Sequence, residues 1–554
     1  MDKYEIARAL DEISRYIGLS EPNRFKALAF ERAARALRAQ DRDIHELIAS
    51  GALIETPGIG KATAAVIEDL ARTGRSAYLD ELRAQFPPGI FDLLRVPNLG
   101  LSKIRVLHDE LGVGSLDELE AAAQAGRLTA LKGFGAKTQQ KILEGIERAR
   151  HRETRFLLPI ALDVAEQLRE RLAAVDEIDD AEITGSIRRR LEVVRNVNIA
   201  VATRKRDAVI AALLRMVENG EQVGDDTVKG LVNGEMKVFF HLSAPADFGG
   251  TVLRTTGTPE FVEAVGKIPK ARREEDVFTR AGLPYVAPER RESADDLRRK
   301  RPRPLVSFDQ LRGTFHVHTT FSDGRNTVLE MLSAAHERGF EYVGLSDHSP
   351  AAYYAGGVSE ERLKQQWREI DKSTPQVTPM RIFRGTEADI LNDGSIDYGE
   401  RVLSKFDFVI ASIHSRFQMS KEEMTERMLR ALDDPHVTFL GHITGRKLLS
   451  RDGYTVEFDR IFERCAQRGV IIEINGNPNR LDLDWRHIPR ALSYGVRFAI
   501  NPDAHSTREY GALLTGTWVA RKAGLGPKEI FNTLPVDAVA EYLAQRKKWG
   551  AAGG

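Results

Sequence analysis

The chain has almost no cysteine. Cys465 is the only one in 554 residues, which excludes a disulfide framework and a thiolate zinc site and fits a reducing compartment. It has no net charge, because 81 Lys and Arg balance 81 Asp and Glu. Attachment to nucleic acid by bulk charge is thereby excluded, whereas local basic patches are not. No apolar run reaches the ~20 residues that cross a bilayer, and the opening segment MDKYEIARALDEISRYIG is charged and amphipathic, with no apolar signal core. These absences predict a cytoplasmic protein without membrane contact. Hydrophobic residues make up 42% of the sequence, typical of a soluble globular chain. The length exceeds what one core can serve, so roughly two to five domains are expected.

Residues 1–152 read as short helices around Gly-centred turns, with apolar residues three and four apart, as in Ile6, Leu10, Ile13 and Ile17. Beyond them an amphipathic helix (LDVAEQLRERLAAV) precedes strand-like stretches, EVVRNVNIAVAT and EMKVFFHL. Residues 243–290 contain several Gly and Pro and read as irregular. The segment RRESADDLRRKRPRPLV is charged, Pro-bearing and poor in apolar residues, and reads as a linker. After it, short apolar strands such as YVGLSDH, FDFVIASIHS and VIIEING alternate with helical patterns. That alternation predicts a parallel α/β sheet or barrel.

Nearly every strand of this last region ends in a metal-binding residue type. His316 and His318 form an H-x-H pair, which a strand of period two turns to one face. Asp323 follows in FSDG, His348 in LSDH, Glu387 in GTEAD, His414 in ASIHS and His442 in LGHITGR, and Asp503 and His505 close the set in NPDAHS. In a parallel barrel the strand C-termini converge on one face. Burying so many imidazoles and carboxylates without a partner is costly, and the set suffices for about three metal sites of roughly three or four protein ligands each. Asp347, beside His348, is a candidate for orienting a ligand from behind. Arg416, Arg446 and Arg480 lie near ligand segments and are candidates for gripping phosphate. A donor set of His and carboxylate without thiolate suits Mn, Zn or Fe.

The segments FHVHTTFSDG, LSDHSP, GTEADILNDGSIDY, IASIHS, GHITGR, EINGNPNRLDL and NPDAHS resemble the polymerase and histidinol phosphatase (PHP) domain. The resemblance implies a distorted seven-stranded α/β barrel with a trinuclear centre. His316, His318, Asp323, His348, Glu387, His414, His442, Asp503 and His505 would occupy the ligand positions, with Glu387 bridging two metals. His316, His318, Glu387, Asp503 and His505 are read as the catalytic core, and two to three divalent metals are expected.

In the first half, TPGIGKATAAVI, VPNLGLSKIRVL and LKGFGAKTQQKI share an apolar-Gly turn before an amphipathic helix, the helix-hairpin-helix pattern. Gly58 and Gly60, Gly100, and Gly133 and Gly135 let backbone N–H groups approach phosphate. Lys61, Lys103 and Lys137 add charge. Asn98 replaces the first Gly of the second copy and tolerates the same left-handed conformation. Together with NRFKALAFERAARALR, ITGSIRRR and FGGTVLRTTGT, this half is similar to bacterial family X DNA polymerases. The resemblance implies a helical DNA-binding domain over 1–85, helix-hairpin-helix fingers over 86–152, a nucleotidyltransferase-like α+β palm over 153–242, a thumb over 243–295, a linker over 296–312 and the PHP domain over 313–554. In the palm, Gly185, Ser186, Arg188 and Arg189 match the family, but Arg190 stands for a glycine. Asn196, Asn198 and Phe239 replace the three aspartates that would hold Mg or Mn, and Glu192 lies nearby. The expectation is a monomeric DNA-repair protein acting on gapped, nicked or 3′-ended DNA. Its PHP domain would be a 3′–5′ exonuclease, and its palm would clamp DNA and bind dNTP weakly at most. The alternatives are an active gap-filling polymerase with proofreading, and a non-catalytic scaffold on DNA ends. A small-phosphoester phosphatase would use a similar site, but the helix-hairpin-helix half argues against it.

Overall fold

Apolar spacing of three and four residues in the first half yields helices and no strand among the described residues. The computed structural model describes residues 3–20, 24–38, 44–96, 99–151 and 154–552. Contacts divide the chain into two units, Met1–Glu153 and Thr154–Gly554. The first unit packs its helices around one core that includes Ile6, Leu10, Ile13 and Ile17, all fully buried. No helix of the described residues is long and apolar enough to cross a membrane.

The second unit opens with a five-stranded mixed sheet. Its strands are β1 (Ile178–Thr184), β2 (Asn196–Thr203), β3 (Glu218–Val223), β4 (Thr227–Val232) and β5 (Met236–Ser243), in the order β1-β2-β5-β4-β3. β2 and β5 run parallel at the centre of the sheet. The stretch 243–290 is not irregular: it holds three short helices, Phe248–Thr256, Pro259–Val265 and Glu274–Ala281. Several of the Gly and Pro that suggested irregular chain sit at helix ends. Pro259 starts its helix behind the Thr258 cap, and Gly257, Gly266 and Gly282 close the three C-termini. The segment expected as a linker is anchored at several points. Asp296 pairs with Arg290 and Arg303, and Val306 is fully buried, its N–H donating to the Leu525 carbonyl.

Seven parallel strands follow: β6 (Gly313–Val317), β7 (Tyr342–Leu345), β8 (Arg381–Asp389), β9 (Phe408–Ser412), β10 (Val437–Leu440), β11 (Ile471–Asn475) and β12 (Phe498–Asn501). They pair in chain order. The sheet nearly closes on itself just past β12, where Ala504 donates to the His316 carbonyl and accepts from His318 N–H. The barrel floor is filled by aromatics. Phe315 lies against Phe383, Phe408, Phe439 and Phe531, with ring centroids 4.9–6.1 Å apart. Glycine is required at 344 and 385, because a Cβ there would stand 2.7 Å or less from the Phe408 ring. The site therefore rests on a dry, packed base at the strand C-termini.

Candidate metal centre and nucleic-acid interface

All nine strand-end residues meet above this base. They fall into four overlapping clusters whose donor atoms lie within 4.8 Å of one another: His318, Asp323, His348 and His505; His316, His318 and Asp503; His316, Glu387 and His442; His348, Glu387 and His414. Glu387 is the hinge of the set. Its Oε1 lies 2.9 Å from His442 Nε2 and 3.3 Å from both His316 and His414 Nε2, while its Oε2 lies 3.0 Å from His348 Nδ1. Simple strand alternation is not what turns the H-x-H pair inward. His316 has φ +62°, and the β6–β7 register shifts between Thr314 and Val317, so a bulge re-aims it. Asp503 also has φ +53°. Left-handed non-glycine residues of this kind gather at sites the surrounding fold over-determines.

The site fits metal on a test internal to this structure. His316 Nε2, both ring nitrogens of His318, His348 Nδ1 and His442 Nδ1 are buried without a hydrogen-bond partner. Native proteins rarely leave such atoms unsatisfied, and cations in the overlapping clusters would engage one nitrogen of each ring. Burial and the neighbouring His505 and His348 rings push His318 down to about 3, so its ring stays neutral, with one nitrogen lone pair free to bind a cation. Burial opposes ionisation of Glu387, yet His316, His348 and His414 hold it well below the usual carboxylate range. Burial likewise opposes charge on Asp323, but His505 and His318 bring it down to about 2.

Two carboxylates stand behind the imidazoles. His316 Nδ1 donates to Glu473 Oε2 at 2.5 Å, and His414 Nδ1 donates to Asp389 Oδ1 at 2.7 Å. Each leaves the Nε2 lone pair facing Glu387, which is how outer carboxylates fix a ligand tautomer. Sequence reasoning missed both, although spacing could have found them. Asp389 is two residues past Glu387 on β8, and Glu473 lies on β11 within EING. Asp347 acts less directly than expected. It accepts from Thr319 N–H and hydroxyl, Ser322 and Gln366, bracing the loop between His318 and Asp323.

A cavity of about 490 Å³ opens over the cluster, and Lys447, Tyr354 and Arg480 line its wall. Of the three candidate arginines only Arg480 lines it, with Nε 3.6 Å from Asp503 Oδ2. Arg416 is exposed, and Arg446 lines a second cavity of about 510 Å³ beside Ser186, Glu192, Arg195 and Asn196.

In the central sheet, Asn196 and Asn198 lie on β2, and the parallel register sets Phe239 of β5 directly beside Asn198. Gly185 adopts φ +65°, and a Cβ there would stand 2.8 Å from the Asn198 side-chain amide. Arg188 and Arg189 are committed to carboxylates, Arg188 to Glu274 at 2.9 Å and Arg189 to Glu292 at 2.9 Å.

In the first unit the three Gly-centred turns share one geometry. Ile59, Leu99 and Phe134, all buried, donate their N–H to the carbonyls of Thr56, Val96 and Leu131, three residues back. Gly60, Gly100 and Gly135 then accept from the N–H four residues on. Gly58 and Gly133 take φ +98° and +91°, and Gly60 and Gly100 cap their helices at nearly the same φ and ψ. The flanking bonds of the second copy match those of the other two; Asn98 itself and the Lys137 side chain lie outside the described residues. Lys61 is exposed, and Lys103 lies 5.8 Å from the Phe134 ring of the third turn.

Family matches follow the same divisions. The PHP domain matches residues 314–477, a helix-hairpin-helix domain matches 1–76, and a SAM-like helix-hairpin-helix tandem matches 90–148. A helix-hairpin-helix protein carrying a PHP barrel is thus the class that fold and site define. Over 98% of its length the chain is 33% identical to the DNA polymerase/3′-5′ exonuclease PolX of Bacillus subtilis (strain 168), covering 99% of that protein. Over 42% of its length it is 28% identical to a probable phosphatase of Caldanaerobacter subterraneus, covering 91% of it, and to another of Photobacterium profundum, covering 94%. The chain belongs to the bacterial family X DNA polymerases that carry a PHP domain.

Proposed function

We propose that this chain is a metal-dependent DNA phosphodiesterase that removes nucleotides from 3′ ends or gaps through the PHP site, and that its palm holds DNA without polymerising. The observation that carries this reading is the convergence of nine imidazoles and carboxylates with buried ring nitrogens left unpaired. His316, His318, Asp323, His348, Glu387, His414, His442, Asp503 and His505 would hold two to three divalent metals, Mn, Zn or Fe. Such metals supply the Lewis acidity that phosphodiester hydrolysis needs. The chain's own residues do the rest. Glu473 and Asp389 keep His316 and His414 in one tautomer. Arg480 offers a guanidinium to the phosphate at the cavity wall, and the aromatic floor excludes water from below.

The name of the Bacillus subtilis relative supports action at DNA 3′ ends. The same name favours a second reading, a gap-filling polymerase with proofreading. Asn196, Asn198 and Phe239 weigh against it, since Mg²⁺ is held mainly through carboxylates and substrate phosphates. The direct test replaces His316 and His318 by Ala together, or Asp503 by Ala alone. Degradation of 5′-labelled DNA with Mn²⁺ is expected to stop and bound metal to fall. Degradation at the parental rate would overturn the assignment.

A further inference from the structure

The loop that follows Ser186 grips the barrel. Arg190 takes φ +57° at the position where the family has glycine, and its guanidinium lies 4.1 Å over the Trp518 ring in the helix Ala512–Ala523. On the same helix Lys522, almost fully buried, donates to the Arg189 carbonyl at 3.0 Å and to Glu292 at 2.8 Å. Glu192, only 5% exposed, bonds to residues of the barrel. It accepts from Arg486 at 3.0 Å and from the Trp485 indole at 3.3 Å, and it lies 3.7 Å from Arg446.

Arg446 carries the contact inward. Its Nη1 meets Asp484 at 2.5 Å, its Nε donates to the Arg480 carbonyl at 2.9 Å, and its Nη2 donates to the Leu481 carbonyl. A guanidinium is a rigid planar fork of five donors, so fixing its outer edge on carboxylates fixes the backbone that its inner edge holds. That backbone bears Arg480, whose side chain lines the metal cavity beside Asp503. Without Glu192, Asp484 alone would have to serve both Arg446 and Arg486, which it already contacts.

We propose that Glu192 of the palm is a positioning residue for the hydrolase: through Arg446 and the Arg480 carbonyl it holds the Arg480 guanidinium at the cavity wall where phosphate binds. This rests on the phosphodiesterase reading above. It gives the palm a task in hydrolysis that does not depend on polymerisation.

The test uses the full chain with Mn²⁺ and a small diester, bis(p-nitrophenyl) phosphate, so that DNA contacts elsewhere drop out. Glu192→Ala is expected to lower kcat by roughly 10- to 100-fold, as loss of an outer-shell partner does, with metal content unchanged. Glu192→Gln is expected to recover part of the loss. In an Arg480→Gln background, Glu192→Ala is expected to cost nothing further, because residues acting through one contact are not additive. Parental kcat in Glu192→Ala, or a loss that multiplies with that of Arg480→Gln, would overturn the proposal. A readout without turnover stands beside these. The amides of Arg480 and Leu481, both bonded to the Asn477 carbonyl, should exchange hydrogen faster in Glu192→Ala and in Glu192→Gln, while β11 stays protected. Unchanged exchange there would overturn the proposal even with activity absent, whereas a parent without turnover and with the expected exchange would sink only the phosphodiesterase reading.

Discussion

Asn198 donates its side-chain amide to the Asn196 carbonyl oxygen at 2.6 Å. The Asn198 oxygen in turn accepts from His241 Nε2 at 3.0 Å. The two amides stand two residues apart on one strand, where the family carries a pair of aspartates, and they satisfy each other. A divalent cation would meet neutral dipoles already engaged. The unmodified protein with Mg²⁺ and nucleotides is expected not to extend a primer. Asn196→Asp, Asn198→Asp and Phe239→Asp together are expected to give measurable extension. Template-directed extension by the unmodified protein that disappears in the Asn196→Ala, Asn198→Ala variant would contradict this.

Glu473 and Asp389 each accept from a ligand imidazole. Glu473→Gln and Asp389→Asn should therefore weaken metal binding or activity by about 10- to 100-fold while leaving the barrel folded. Mn²⁺ titration of metal-stripped protein reads the affinity. Parental affinity in both variants would mean that the tautomers are set some other way.

Metal that binds only the folded site also stabilises it, by about 2.7 kcal/mol at a free concentration 100 times Kd. Chelator-treated protein is expected to melt lower and to recover its Tm on Mn²⁺ addition. Asp503→Ala is expected to respond far less. Calorimetry of the two, with and without Mn²⁺, separates a metal effect from a general loss of stability. Equal responses would remove Asp503 from the ligand set.

The Gly turns make a two-sided prediction for DNA binding. A Cβ at Gly60 would meet nothing within 4 Å, whereas Gly58 holds φ +98°. Gly60→Val should therefore keep the fold and weaken binding by blocking close approach of a phosphate. Gly58→Val should lose stability as well. Duplex affinity of the parent should fall with salt at a log–log slope of about −0.9 per neutralised phosphate. A Gly60→Val loss confined to one base sequence would contradict a backbone contact.

Much of this was legible in the sequence because the chemistry sits at element ends. All nine strand-end residues fall in the cluster, since a parallel barrel sends every strand C-terminus to one face. What was hidden depended on direction rather than position. His316 reaches the site through a bulge and a left-handed φ, which no residue pattern announces. Glu473 looked like one more strand residue, because its role is set by what lies across the barrel. Arg446 lies close to His442 in sequence, yet its guanidinium turns to the Arg480 and Leu481 carbonyls and Glu192. The Gly and Pro of 243–290 suggested irregular chain because composition alone does not tell a helix cap from a loop.

On the proposed function, the working chemistry is hydrolysis at the barrel. The most direct measurement incubates the purified protein with Mn²⁺ and a 5′-labelled primer–template, with and without nucleotides, beside the His316→Ala, His318→Ala variant. A descending ladder is expected from the parent in both conditions and none from the variant. An ascending ladder with nucleotides, or a descending one that the variant produces equally fast, would contradict it.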